Sequence, residues 1–277
     1  MAESVYMVTG GTGTVGRRVV SQLRDSGLSA VAAARHGEVV LDWSDPATWK
    51  PALQNVSHLY LLLPDHMFLP DGFLDAVRAA HVHRVVLHSD MSVDIQQVEP
   101  LLAAESAVRS SGLDWTIVRP TWFHQDLETF FRQPVMDGLL RVPVGSSQQT
   151  WIDADDIAAA GVAALQRSDL VGEILNVTGP ETASFPEVAA TISHATGRDV
   201  EFDGTEEGYR ASLGASGVPP QDTEAILAGF RALAAHEHHP TPDLERATGR
   251  RGTPLRHYIE RAAREGQWGP VVRSSPA

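Results

Sequence analysis

The feature that most narrows what this chain can fold into is an eight-residue run, Thr9-Gly10-Gly11-Thr12-Gly13-Thr14-Val15-Gly16. It stands between a short apolar strand at Val5–Val8 and a helically spaced segment at Val15–Leu23. Gly10, Gly13 and Gly16 follow a G-x-x-G-x-x-G spacing, while Gly11, Gly13 and Gly16 follow G-x-G-x-x-G. Strand, glycine turn and helix in this order open a βαβ unit. The glycines permit a tight turn and close approach of backbone to a pyrophosphate. The helix N-terminus adds N–H donors and the positive end of its dipole.

The next hundred residues repeat the alternation of strand and helix periods. Apolar strands are predicted at Ala30–Ala34, Val39–Leu41, His58–Leu63, Arg84–His88 and Trp115–Val118. Helices are predicted at Pro46–Leu53, Leu74–Ala80 and Pro100–Ser110. The near-continuous apolar strands imply burial on both faces, and hence an α/β fold with a doubly wound parallel sheet. After Pro120 the pattern loosens. A helix at Ile157–Leu165 behind Asp153, Asp155 and Asp156, a strand at Ile174–Val177 and a helix at Phe185–Thr196 are still legible. Helices are expected at about 222–235, 242–248 and 254–264, Gln148-Gln149 and Pro219-Pro220 as loops, and Arg273–Ala277 as a frayed tail. Residues 1–120 are therefore assigned to the sheet domain, with about 150–178 returning to it. The rest of 121–277 is assigned to a small, mainly helical capping region without an independent core.

Composition removes whole classes of chemistry. The chain has 277 residues, a formal net charge of −13 and no cysteine. A chain of this length buries roughly 75% of its unfolded surface and needs no disulfide. Thiol nucleophiles and Cys-ligated metals are excluded. The acidic balance argues against nucleic acid as a partner. No apolar run is long enough to span a membrane, and MAESVYMVTG has no signal-peptide core, so a cytoplasmic location is expected. Lys50 is the single lysine, which nearly excludes Schiff-base chemistry. The run Ala235-His236-Glu237-His238-His239 matches no two-histidine helix site and is followed by Pro240, so no metal is assigned.

The residue after the second strand selects the dinucleotide. An acid there holds the ribose 2′-hydroxyl of NAD, but this chain has Arg35 and then His36. A guanidinium suits a 2′-phosphate, so NADP(H) is favoured over NAD(H). Asp42 is placed to meet the adenine amino group, and Leu62 and Leu63 to line the adenosine.

Several segments together resemble the NmrA-like, atypical branch of the short-chain dehydrogenase/reductase superfamily. They are the glycine run, Ser111-Gly112-Leu113-Asp114-Trp115-Thr116-Ile117-Val118-Arg119-Pro120, Trp122-Phe123, Asp153–Ala158, Asn176-Val177-Thr178-Gly179-Pro180 and Ala247-Thr248-Gly249-Arg250. The resemblance covers nearly the whole chain in the family's order. It implies a Rossmann domain, a small C-terminal substrate domain and an NAD(P)(H) ligand between them. Two departures stand out. Asp126 occupies the place where the family commonly has asparagine. The Tyr-x-x-x-Lys pair of typical short-chain enzymes is missing: counting back from Gly112, it would fall near Gln97 and Leu101.

Without that acid, hydride transfer is limited to acceptors that need little help with charge: a quinone, azo compound, iminium or conjugated enone. Ser89 and His124 are the candidate catalytic donors, with Ser89 also a cofactor contact. Trp122, Phe123, His124 and Tyr209 are the candidate substrate contacts, with Met67, Phe68 and Leu213 completing an apolar wall. The partner expected is a small aromatic or conjugated molecule, and a homodimer is left open. The same absences fit a protein that binds the dinucleotide and reports redox state without turnover.

Overall fold

The computed structural model describes residues 4–269, so the Arg273–Ala277 tail lies outside the described residues. The first half alternates β1 (Val5–Thr9), α1 (Gly16–Asp25), β2 (Ser29–Ala34), β3 (Val39–Val40), α2 (Trp49–Ala52), β4 (Val56–Leu61) and α3 (Phe73–Ala79). It continues with β5 (Arg84–His88), α4 (Val93–Gln96), α5 (Glu99–Ser110) and β6 (Asp114–Pro120). The second half holds β7 (Trp122–Phe123), α6 (Arg132–Met136), β8 (Leu139–Arg141), β9 (Gln149–Ile152), α7 (Ala154–Gln166) and β10 (Ile174–Val177). It ends with β11 (Thr182–Ala183), α8 (Phe185–Thr196), β12 (Glu201–Asp203), α9 (Glu206–Ala215), α10 (Pro220–Ala234), α11 (Asp243–Thr248) and α12 (Leu255–Arg264).

Seven strands form one sheet in the order β10-β6-β5-β4-β1-β2-β3, and every neighbouring pair runs parallel. This is the doubly wound α/β sheet that the alternating periods imply. From β1 the chain winds outward through β2 and β3, then returns to the other side of β1 through β4. Strand order therefore reverses between β1 and β4, which opens a crevice at their carboxyl ends. Val19, Leu23, Ile157 and Ala160 of α1 and α7 cover one face, together with Val8 and Val86. Leu53, Phe73, Val77 and Val108 of the other helical layer cover the second face, against Met7, Leu59 and Leu87.

Three expectations are corrected. The region after Pro120 does have its own apolar cluster, built from Leu127, Phe131, Trp151, Phe185, Tyr258 and Trp268. Large aromatic side chains make this possible although the strands, in sheets β11-β9-β7 and β12-β8, are only two to four residues long. Gln149 starts β9 instead of lying in a loop. Pro220 opens α10, where its missing N–H is no loss in the first turn. Among the described residues no helix is long and apolar enough to cross a membrane.

Candidate functional site

The crevice deepens into a cavity of about 470 Å³. Gly10, Gly13, Thr14 and Val15 supply one wall, and the segment Leu62–Met67 after β4 another. His88, Ser89 and Asp90 reach it from the end of β5, Val98, Pro100 and Leu101 from the start of α5, and Phe123 from β7.

The glycine loop is shaped by backbone contact. Gly10 has φ +61°, and a Cβ on Gly16 would lie 2.2 Å from the Gly10 carbonyl oxygen. Neither backbone can yield, so α1 can begin against the turn only with glycine at 16. The Gly13 N–H donates to the Gly10 carbonyl at 2.9 Å, and the Arg17 N–H to the Gly13 carbonyl at 3.1 Å. The N–H groups of Thr12, Thr14 and Val15 donate to no backbone carbonyl among the described residues. Free donors at the start of a ten-residue helix fit a pyrophosphate. Thr9 fastens the base of the loop: its hydroxyl accepts from the Leu62 N–H at 2.7 Å and donates to the Leu62 carbonyl at 2.8 Å.

A second groove is lined by Gly11, Thr12, Arg17, Arg24, His36 and Glu38. Arg35 lies in the exposed turn beside it and makes no ion pair among the described residues. Glu38 is an acid near the end of β2 that sequence reading passed over. Its carboxylate accepts from Arg24 at 2.6 Å, which holds it below the usual carboxylate range. Asp42 accepts from both the N–H and O–H of Ser44, which lower its carboxyl, with a smaller pull from Arg35 and His36. Neither Arg35 nor Asp42 lines the cavity.

Ser89 lines the cavity, but its single O–H donates to Glu105 Oε1 at 2.6 Å. Glu105 is wholly buried on α5 and accepts two further bonds from Arg119, at 2.7 and 2.6 Å. The serine hydrogen is therefore committed to a structural carboxylate, and its oxygen can only accept toward a ligand. Asp126 accepts from the Phe123 N–H at 3.0 Å, and burial, with Asp90 and Asp65 nearby, pushes its carboxyl up to about 6.

His124 is corrected. It is fully buried and does not line the cavity, because β7 runs straight into a 3-10 turn at His124–Leu127 that carries the ring inward. It packs 4.9 Å from the Tyr258 ring, and burial pushes its pKa down to about 4. Trp122 likewise turns away from the cavity, into the cluster of Phe131, Trp151 and Phe185. Tyr209 stacks edge-on against Phe230 of α10 at 5.1 Å and lies outside the lining, as does Leu213. Phe68 is exposed rather than part of a wall. Phe123, Met67, Leu62 and Leu63 do line the cavity. Of the two positions where the resemblance would put tyrosine and lysine, Gln97 lies outside the lining, and Leu101 joins Val98 and Pro100 in an apolar stretch of the wall. Lys50 lines a separate groove with Ala76 and Ala79 of α3.

Sequence reading passed over His88. Its ring lines the cavity, its Nδ1 lies 2.8 Å from the Tyr60 hydroxyl, and burial lowers its pKa to about 4. The signal was present: a histidine ends an otherwise apolar strand, directly before Ser89.

Comparison with known proteins places this geometry. A family model for NAD(P)H-binding proteins matches residues 10–168. The uncharacterized oxidoreductase YesF of Bacillus subtilis is 30% identical over 284 residues, 97% of this chain and 98% of that one. The NAD(P)H azoreductase of Xenophilus azovorans is 30% identical over 242 residues, 80% of this chain and 85% of that one. Among solved structures, the Escherichia coli NADPH-dependent quinone oxidoreductase QOR2 in complex with NADPH has the same fold, with a TM-score of 0.78 at 18% identity. That match covers 92% of this chain and 99% of the other. The chain belongs to the NAD(P)H-binding family and is an NAD(P)H-dependent oxidoreductase.

Proposed function

We propose that this protein uses NADP(H) in preference to NAD(H) to reduce a small conjugated acceptor, a quinone, azo compound, iminium or enone, without a tyrosine–lysine acid. The carrying observation is the cavity itself. Its glycine loop ends in free N–H donors, while the start of α5 offers the cavity only the apolar Val98, Pro100 and Leu101.

In this reading Gly10, Thr12, Gly13, Thr14, Val15 and Gly16 cradle the pyrophosphate. Leu62 and Leu63 flank the adenosine half, with Asp42 toward the adenine, and Ser89 accepts a hydrogen bond near the nicotinamide. The bound dihydronicotinamide supplies a hydride. The chain's own residues hold the acceptor against it and exclude water, with Phe123 and Met67 offering the apolar contact. Arg35 and Arg17 gather positive charge around the groove beside Thr12 and His36, which suits a 2′-phosphate. Glu38 does not oppose this, since Arg24 already neutralises it.

Two measurements test the reading. Anaerobic NADPH oxidation is followed against a panel of quinones, azo dyes, iminium ions and enones; turnover of at least one class is expected. NADPH that binds tightly with no acceptor reduced would favour a redox-reporting module instead. Separately, Arg35→Ala is expected to weaken NADPH by about tenfold while changing NADH little, since a charge-assisted phosphate contact is worth roughly 1.5 kcal/mol. Equal losses for both dinucleotides would remove the 2′-phosphate assignment.

A further inference from the structure

We propose that His88 hydrogen-bonds the acceptor's oxygen as that atom takes on negative charge, and that Tyr60 fixes the imidazole tautomer that makes this possible. The inference rests on the reductase reading of the cavity and names the group that stands in for the missing tyrosine–lysine pair.

The tautomer follows from burial. Tyr60 is wholly buried on β4, and its hydroxyl meets His88 Nδ1 at 2.8 Å and no other partner among the described residues. The ring is held by α7, whose Gly161 passes so close that a Cβ there would lie 2.5 Å from Tyr60 Cε2. A buried O–H must find an acceptor, so Tyr60 donates and Nδ1 accepts. The hydrogen of the neutral imidazole then resides on Nε2. Burial keeps the ring neutral at pH 7, as its pKa of about 4 implies.

The direction of Nε2 follows from its surroundings. It has no protein partner among the described residues, yet it is not one of the occluded, unsatisfied atoms. The ring lines the cavity, edge-on to Phe123 at 6.1 Å. Other side chains in the wall compete poorly as donors. Ser89 has committed its hydrogen to Glu105, Thr14 belongs to the pyrophosphate loop, Asp90 is engaged as acceptor of the Ser92 N–H and O–H, and Asp65 and His66 sit in an exposed stretch. Nε2–H of His88 is the preorganised side-chain donor that remains, and such donors act on developing charge without reorganisation.

For an enone, hydrogen arrives with its electron pair at the β-carbon and forms the new C–H bond. The C=C π electrons shift to form the enolate, and the carbonyl π pair moves onto oxygen. His88 donates a hydrogen bond to that oxygen and keeps its proton, because neutral imidazole is far too weak an acid to give it up. Water supplies the proton that completes the product; the electron pair is the one that a bound NAD(P)H would supply. A quinone follows the same course, with a phenolate oxygen in place of the enolate. An N-alkyl iminium develops no anion, since hydride addition to its carbon neutralises the cation.

This difference supplies the test, alongside a readout that needs no turnover. In 15N NMR of cofactor-free protein, His88 is expected to show a hydrogen-bearing Nε2 and a bare, accepting Nδ1. Tyr60→Phe is expected to abolish that single-tautomer pattern. In kinetics, His88→Leu is expected to lower kcat for enones and quinones about 100-fold. The loss for an N-methyl iminium acceptor should be at least ten times smaller, and the Kd for NADPH should stay near the parent value. His88→Gln, which can present a side-chain N–H near the same place, is expected to restore part of the enone rate. Tyr60→Phe should fall between parent and His88→Leu in kcat, with little change in KM. Hydrogen on Nδ1, or equal losses for enone and iminium, would overturn the assignment while leaving the reductase reading in place. No reduction of any acceptor by parent protein would overturn both.

Discussion

Replacing Glu105 with leucine is the perturbation for which the structure gives the clearest magnitude. The carboxylate is fully buried and receives Ser89 at 2.6 Å, Arg119 at 2.7 and 2.6 Å, and Arg109 at 3.3 Å. The Arg119 side chain is only 11% exposed, and that bidentate hydrogen bonding holds its pKa above the ordinary arginine value. Removing one partner of a buried ion pair costs about 3–5 kcal/mol, because a charge remains without compensation. Asp94 still holds the Arg119 Nη1 at 2.8 Å, which draws the cost toward the lower end. The orphaned Ser89 hydroxyl adds about 1 kcal/mol. We expect about 4 kcal/mol in total. Adding Arg119→Met should recover about 2 kcal/mol of it, since the stranded charge is then gone. Urea unfolding of the single and double variants measures both values through the midpoint at unchanged slope. A Glu105→Leu protein within about 1 kcal/mol of the parent would refute the reading of this carboxylate as the structural anchor of Ser89 and Arg119.

Other consequences can be checked with equal directness. Gly16→Ala forces a Cβ to within 2.2 Å of a backbone oxygen and should abolish measurable dinucleotide binding by calorimetry while the circular dichroism of the sheet persists; tight binding in this variant would show that the loop is not the cradle. Stability should fall as pH drops from about 6.5 toward 4, because His88 has a folded pKa near 4 and binds its proton first in the unfolded chain. This ring contributes about 3 kcal/mol over that window, and the buried His124 acts in the same direction. Asp126 acts oppositely: its carboxyl, raised to about 6, takes up its proton earlier in the folded state, so its contribution grows as pH falls through 6 and is lost as pH rises through it. Asp126→Asn should therefore steepen the acid loss between pH 6.5 and 4 in urea midpoints, and a shallower curve would contradict the raised carboxyl.

Much of the sheet was legible because each strand from β1 to β6 is an apolar run with a helix-period segment beside it. The glycine loop was legible because its neighbours, strand and helix, supply the context that the spacing alone lacks. The second apolar cluster was not, since Leu127, Phe131, Trp151, Phe185 and Trp268 lie far apart in the chain and only meet through two- to four-residue strands that show no periodicity. The candidate site side chains divide in the same way. Phe123 and Trp122 are adjacent in a strand, so one faces the cavity and the other the second cluster, but the sequence does not say which. His124 and His88 were indistinguishable as residue types. Only the 3-10 turn after β7 and the placement of Tyr60 on the neighbouring strand β4 show that the first is sealed and the second lines the cavity. Ser89 was found by its position after β5, while the commitment of its hydrogen depends on Glu105, sixteen residues away.

The most direct test of the central claim, that this cavity carries hydride transfer from a bound dinucleotide to a small acceptor, is isotope tracing with NADPH deuterated at one face of C4. The iminium, enone and azo acceptors are used without oxygen. One of the two deuterated faces, and not the other, should slow turnover and leave its deuterium on the carbon of the reduced iminium or enone. Deuterium retained in the cofactor from both faces with every acceptor, while NADPH remains bound, would contradict the account.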